Sequence, residues 1–261
     1  MRQLLPEPIS IDPAEAHVAA HRPPPTGRPW VLLNMVVSAD GATAVDGVSG
    51  ELGGPEDKVV FSALRAVADV ILVAAGTARA EGYGPPRTSA RRQAERVERG
   101  QAPFPRLALV TRTLDLDPAA AMFTEAPEPP LVYTVPDAPA DRRSALGDRA
   151  ELVTPTAADG DDGGRGDRRR GPGDVDLAAV LADLGRRGAR TVLVEGGPAL
   201  NGQLVAGDLV DELDVTLAPA LVGGESARVA HGPALAVPTG LVLAHLWEAD
   251  GVLFARYVRD R

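Results

Sequence analysis

The chain of 261 residues contains no cysteine. That absence excludes disulfides, a thiol nucleophile and every zinc site built on cysteine. Histidine is scarce. His17, His21, His231 and His245 are the whole set, and none pair at metal-ligand spacing, so no metal site is expected. Lysine is scarcer still: Lys58 stands alone among basic residues that are otherwise arginine. A lysine Schiff base could come from that one position, which makes pyridoxal and lysine-based aldol chemistry poor expectations. No apolar run reaches the roughly 18 residues of a membrane span. Residues 1–25 carry several prolines and no apolar core of the signal-peptide kind, so the expected location is the cytoplasm. The net charge of −9 gives no bulk attraction to nucleic acid. A small-molecule ligand is the partner that composition favours.

What is present alternates between apolar strands and amphipathic helices. Residues 1–28 are proline-rich and weakly periodic, and read as an extended or partly ordered arm before a single domain over 29–261. Strands are expected at 30–37, 70–75, 107–111, 131–135, 151–153, 191–194 and 211–218, and a hairpin around Asp250-Gly251. Pro55-Glu56-Asp57 starts a helix, with proline at the first position and acids in the first turn. Asp174 caps a second helix, and a third lies around 200–205. Residues 84–105 read as a surface loop with a helical turn near 90–99, and 157–173 as a flexible solvated loop. The pattern predicts an α/β fold with a mostly parallel central sheet, flanking helices and an antiparallel C-terminal hairpin.

Glu195 ends a buried strand, where open α/β sheets place their ligands. Gly196-Gly197-Pro198 follows it, and a diglycine at a helix start lets amides face a diphosphate. The spacing is neither the Rossmann G-x-G-x-x-G nor a Walker loop. Gly76-Thr77 and Gly53-Gly54-Pro55 fit either ligand contact or plain turns. Asp40-Gly41 fits a turn or a catalytic carboxylate. Arg112 follows the third strand and has a fork suited to a 2′-phosphate, or is a solvated loop arginine.

Several segments, in order, carry a resemblance: Ser38-Ala-Asp-Gly41, Ser49-Gly50 with Gly54-Pro-Glu-Asp57, Leu64-Arg-Ala66, Gly76-Thr77 with Arg79, Val192-Leu-Val-Glu-Gly-Gly-Pro198, and Leu209-Val-Asp-Glu-Leu213. Over about residues 29–258 the chain resembles the reductase domain of the bifunctional riboflavin-biosynthesis deaminase/reductase. Glu81-Gly-Tyr-Gly84 resembles a stand-alone actinobacterial branch. The resemblance implies a dihydrofolate-reductase-like fold, NADPH as hydride donor and a homodimer. It implies reduction of the ribosyl group of 5-amino-6-(5-phosphoribosylamino)uracil, or a close analogue, to the ribityl group. By the same resemblance Ser49, Arg65, Thr77, Glu81, Arg87 and Glu195 fall on the substrate side, with Arg65 and Arg87 toward the phosphate. Val37, Thr111, Arg112, Gly196, Gly197, Pro198, Ala199 and Leu200 fall on the NADPH side, to which Gly53 and Gly76 are added. Asn34 stands where some members carry lysine, and Glu81-Gly82-Tyr83 replaces a common Asp-Asp-Pro. Glu195 and Asp40 are the catalytic candidates. The family's deaminase half needs an H-x-E…C-x-x-C zinc site, which a cysteine-free chain cannot build. Two rivals remain: a dihydrofolate or other pteridine or pyrimidine reductase on the same fold, and a non-catalytic NADP-binding protein.

Overall fold

The computed structural model describes residues 1–155 and 174–260; the segment expected to be a flexible loop at 157–173 lies outside them. In chain order the elements are strands Arg2–Leu5 (β1) and Ile9–Ser10 (β2), helix Pro13–Ala19 (α1), strand Trp30–Ser38 (β3), helix Pro55–Val67 (α2), strand Val70–Ala74 (β4), and helices Ala75–Ala80 (α3) and Ala90–Glu98 (α4). Then come Arg106–Val110 (β5), Ala121–Thr124 (α5), Leu131–Tyr133 (β6), Ala140–Leu146 (α6), Glu151–Val153 (β7) and Leu177–Arg186 (α7). The chain finishes with Thr191–Val194 (β8), Pro198–Ala206 (α8), Glu212–Ala218 (β9), Leu241–Ala249 (β10) and Val252–Arg259 (β11).

All the strands join one sheet in the order β2-β1-β10-β11-β9-β3-β8-β4-β5-β6-β7. From β9 to β7 the pairs are parallel, and from β9 outward to β2 they are antiparallel. The parallel strands are valine- and leucine-rich because helices cover both their faces. Val31, Leu32, Ile71, Leu72, Val192 and Leu193 are all fully buried. In the hairpin, Asp250 and Gly251 take positive φ of 50° and 80°, as a two-residue turn of this twist requires.

The first 28 residues, expected as an extended or partly ordered arm, hold two strands and a helix. β1 pairs with β10, and α1 begins where the Asp12 carboxylate accepts from Ala14 N at 2.7 Å, with Pro13 at the first helical position. One further helix differs from the expected turns, and α4 falls at the helical turn expected near 90–99. Gly76-Thr77 lies inside α3, and α4 brings Arg96 into the interior. The Arg96 guanidinium donates to the carbonyls of Ala66 at 2.9 Å and Ala68 at 2.7 Å, closing the C-terminus of α2. Asp176, not Asp174, caps α7, accepting from Ala179 N at 3.0 Å.

Where the parallel and antiparallel halves meet, Glu212 is fully buried between two arginines. Arg22 donates to it at 2.7 and 2.9 Å, Arg256 at 2.8 and 2.9 Å, and the Trp30 indole at 2.9 Å. These donors hold the Glu212 carboxyl well below the ordinary range against the opposing effect of burial.

Candidate active site

A cleft of about 1030 Å³ opens at the carboxyl ends of the parallel strands. β3 contributes Asn34, Met35 and Val36 to its lining, α2 contributes Asp57, Lys58, Phe61 and Arg65, and the turn after β8 contributes Glu195, Gly197 and Pro198. The walls are completed by segments 43–50, 76–85 and 222–227. Two of these segments are stapled together. Thr43 Oγ1 donates to Ala227 O at 2.8 Å, and Ser226 Oγ accepts from Thr43 N at 3.1 Å and donates to Ala44 O at 3.2 Å.

Glu195 anchors the floor. Arg65 Nε and Nη2 reach its two oxygens at 2.7 Å each, and the Tyr83 hydroxyl donates to Oε2 at 2.6 Å. Arg65 also lies 4.3 Å from the Phe61 ring centroid. Burial, reinforced by the neighbouring Glu195 charge, pushes the Tyr83 phenol above its ordinary range, so it stays a protonated donor. The trio is neutral overall and pre-oriented, and its three donors take three of the carboxylate's roughly four acceptor positions, leaving about one for a ligand.

At the rim, Glu81 Oε1 accepts from Ser49 N at 2.8 Å and Ser49 Oγ at 2.9 Å, tying two expected substrate residues together. Thr77 lies beneath the diglycine turn: a Cβ on Gly197 would stand 2.4 Å from Thr77 Oγ1. Gly53 has a comparable neighbour, since its Cβ would stand 2.6 Å from Asp57 Oδ2. The helices α2 and α8 start at Gly54 and Gly197 with no side-chain cap, and both starts border the cleft.

The other expected residues are placed differently. Asn34 and Gly76 line the cleft, while Val37 and Leu200 are buried beside it and Gly196 and Ala199 flank the lined turn. Thr111 is buried past the end of β5, its hydroxyl accepting from Leu114 N at 3.0 Å. Its neighbour Arg112 is exposed, outside the lining. Arg87 also stands outside it, paired with Glu125 at 2.5 Å on the surface. Of the two arginines the resemblance turns toward the phosphate, Arg65 lines the cleft and pairs with Glu195, and Arg87 lies on the surface beside Glu125. Asp40 too is off the lining. It accepts from Ser38 Oγ at 2.5 Å and Gly223 N at 2.7 Å, and these donors lower its pKa to about 2. Its visible job is to fix the 222–227 wall.

Tyr83 and Asp57 are cleft residues that the sequence reading did not assign. Tyr83 follows Gly82, at φ 61°, and this turn swings the ring back over Arg65. The sequence also gave no sign that His17, Asp214 and His245 converge within 4.8 Å of one another, next to Asn34 and Val60. Arg22 Nη2 sits 3.2 Å from His17 Nδ1. A guanidinium can only donate, so the neutral ring carries its proton on Nε2, which has no hydrogen-bond partner among the described residues. The group packs as a core element, with His245 stacked on Trp247 at 3.8 Å.

A profile of the RibD C-terminal domain matches residues 29–252. The chain belongs to that family. It is 33% identical over 202 residues to the 2,5-diamino-6-ribosylamino-4(3H)-pyrimidinone 5′-phosphate reductase of Methanothermobacter thermautotrophicus, spanning 77% of this chain and 82% of the relative. The enzyme of the same name from Archaeoglobus fulgidus is 29% identical over 207 residues, 78% of this chain and 87% of the relative. Among solved structures, a pyrimidine reductase-like protein from Corynebacterium diphtheriae superposes with a TM-score of 0.78 at 26% identity, covering 96% of this chain and 100% of the other. The RibD C-terminal domain here is thus an oxidoreductase fold related to named pyrimidinone phosphate reductases. No helix among its described residues is long and apolar enough to cross a membrane.

Proposed function

We propose that this protein uses NADPH to reduce the ribosyl group of a 6-(5-phosphoribosylamino)pyrimidine to the ribityl group, as a cytoplasmic homodimer whose 29–261 region is one reductase domain. The observation that carries the reading is the Arg65–Glu195–Tyr83 trio on the floor of a cleft large enough for a nucleotide and a nicotinamide together. The names of the relatives supply the reaction class.

The fit to a dinucleotide rests on the turn after β8. The first α8 hydrogen bond runs from Asn201 N to Gly197 O at 3.0 Å, so the amides of Ala199 and Leu200 precede it and have no intrahelical acceptor. With no side-chain cap and a bare Gly197, that end would hold the diphosphate by backbone. NADPH, when bound, supplies a hydride. Glu195 and Tyr83 then orient the sugar through hydroxyl contacts and hold a proton beside it, and the walls at 43–50 and 222–227 exclude water. The exposed apolar residues Leu217, Leu241, Val242 and Leu243 on the antiparallel half support the dimer.

The test is NADPH oxidation with a phosphoribosylaminopyrimidine, with the product weighed by mass spectrometry for the gain of two hydrogens. Turnover of dihydrofolate and none of the ribotides would replace this reading with a folate reductase. A monomer in sedimentation at micromolar concentration would remove the dimer.

A further inference from the structure

The cleft holds a carboxylate that the reaction as described does not use. Asp57, in the first turn of α2, lines the cleft, and Thr216 and Lys58 are the neighbours that favour its charged form. A carboxylate has about four acceptor positions, so most of its capacity is unmet. Burial raises its pKa against the lowering effects of Thr216 and Lys58, as expected of an acid short of partners. It is also fixed in place, because the Gly53 backbone backs its Oδ2 closely enough to exclude a Cβ.

Asp57, Phe61 and Arg65 follow at four-residue intervals on one face of α2, and all three line the cleft. Each step rises about 6 Å along the helix. A flat ring beside Phe61 therefore has the Arg65–Glu195 pair toward one end and an acceptor, Asp57, toward the other. The two pyrimidines compatible with the proposed reaction differ at one edge. The 2-amino-4(3H)-pyrimidinone form presents its exocyclic NH₂ and the adjacent ring N–H as two parallel donors. In the uracil form, a carbonyl oxygen replaces that amine, and a carboxylate facing it meets a lone pair.

We propose that Asp57 is a specificity-determining residue that binds the donor–donor edge of a 2-aminopyrimidin-4-one and so selects the 2,5-diamino substrate over the uracil. This rests on the proposed reductase reading and narrows the uracil or close analogue expected from sequence to the amino form. A buried acceptor left facing a carbonyl is a strong discriminator, because rejection comes from an unpaired polar group rather than from size.

Two measurements test it. Steady-state kcat/KM is compared for the 2,5-diamino ribotide and the uracil ribotide, in wild type and in Asp57→Asn. Wild type should favour the diamino form, and Asp57→Asn, whose amide can donate to the carbonyl, should lower the ratio by about tenfold or more. A ratio is blind to a general loss of folded enzyme. Independently, calorimetry on wild type and on Asp57→Asn compares two free bases, 2,5,6-triaminopyrimidin-4-one and 5,6-diaminouracil; the first should bind wild type about tenfold more tightly, and Asp57→Asn should lose that preference. A wild-type preference for the uracil, a ratio unchanged by Asp57→Asn, or equal binding of the two bases would overturn the role of Asp57. If neither ribotide is reduced, it is the reductase reading that fails, and the base-binding comparison still decides Asp57.

Discussion

Arg65 and Glu195 lie 130 positions apart in sequence and meet through two parallel hydrogen bonds of 2.7 Å. One comes from the last turn of a helix, the other from the end of a central strand, so their pair joins two layers of the fold at the cleft floor. A double-mutant cycle on Arg65→Ala and Glu195→Ala should give a coupling of about 1–3 kcal/mol in denaturant unfolding. Glu195→Gln should lower kcat/KM by about 100-fold or more, the scale of lost proton management. Unchanged turnover in Glu195→Gln would reduce the residue to a structural tie.

Tyr83→Phe removes one donor from Glu195 and leaves Arg65 in place. The expected cost is about 1 kcal/mol of stability. Because the phenol is held above its ordinary ionisation range, the wild-type pH–rate profile should show no break near pH 10 from this group. A tyrosinate band in an ultraviolet titration, rising near pH 10 in wild type and missing from Tyr83→Phe, would contradict that placement.

Gly197→Ala forces a methyl group to 2.4 Å from Thr77 Oγ1. Overpacking of this kind costs about 1–3 kcal/mol, and NADPH affinity should fall with it. Thr77→Ala removes the opposing atom, so the double variant should regain most of the stability in thermal melts. Additive losses would show that the contact is not the cause.

Asp40 ties the turn after β3 to the 222–227 wall, and its pKa is lowered from 3.8 to about 2 by Ser38 Oγ and by the amides of Gly223 and Val222. A depressed carboxyl stabilises the fold above its unfolded pKa and loses that contribution as pH falls through the folded value. Wild type should therefore lose stability relative to Asp40→Asn between about pH 4 and pH 2. Parallel acid-unfolding curves for the two proteins would count against the tie.

Glu212→Gln strands two buried guanidinium groups, Arg22 and Arg256. Breaking such a cluster costs about 3–5 kcal/mol. Equilibrium urea unfolding measures it, and a loss under 1 kcal/mol, the scale of an exposed pair, would mean that water reaches the cluster.

Sequence made the parallel half legible because its strands are short apolar runs, and the hairpin because Asp250-Gly251 accepts positive φ. The N-terminal strands were not legible. Arg2–Leu5 is no more strand-like than its proline-rich surroundings until β10 offers it a register. Asp12-Pro13 did hold a helix-start signal, hidden among other prolines. Within the site, Glu195 could be placed at a strand end from the residues around it. Its partners could not, since spacing along a chain says nothing about Tyr83 folding back through Gly82. Asp57 read as an ordinary first-turn acid, and only the facing Gly53 and the lined cleft distinguish it. Arg87 reads as a phosphate anchor only through the resemblance, and the fold sets it beside Glu125 at the surface.

The strand order has a consequence for how the chain reaches its folded state. β3 and β4 follow each other in sequence but leave a gap one strand wide, which β8 fills, pairing Leu32 and Ile71 with Leu193 on either side. While the chain is being synthesised, more than 100 residues pass between β4 and the strand that completes its neighbourhood. During that interval two apolar edges stand unpaired, inviting contact with other nascent chains. Such long-range pairing predicts slow folding and a late-forming active site, since Glu195 arrives with the strand that closes the slot.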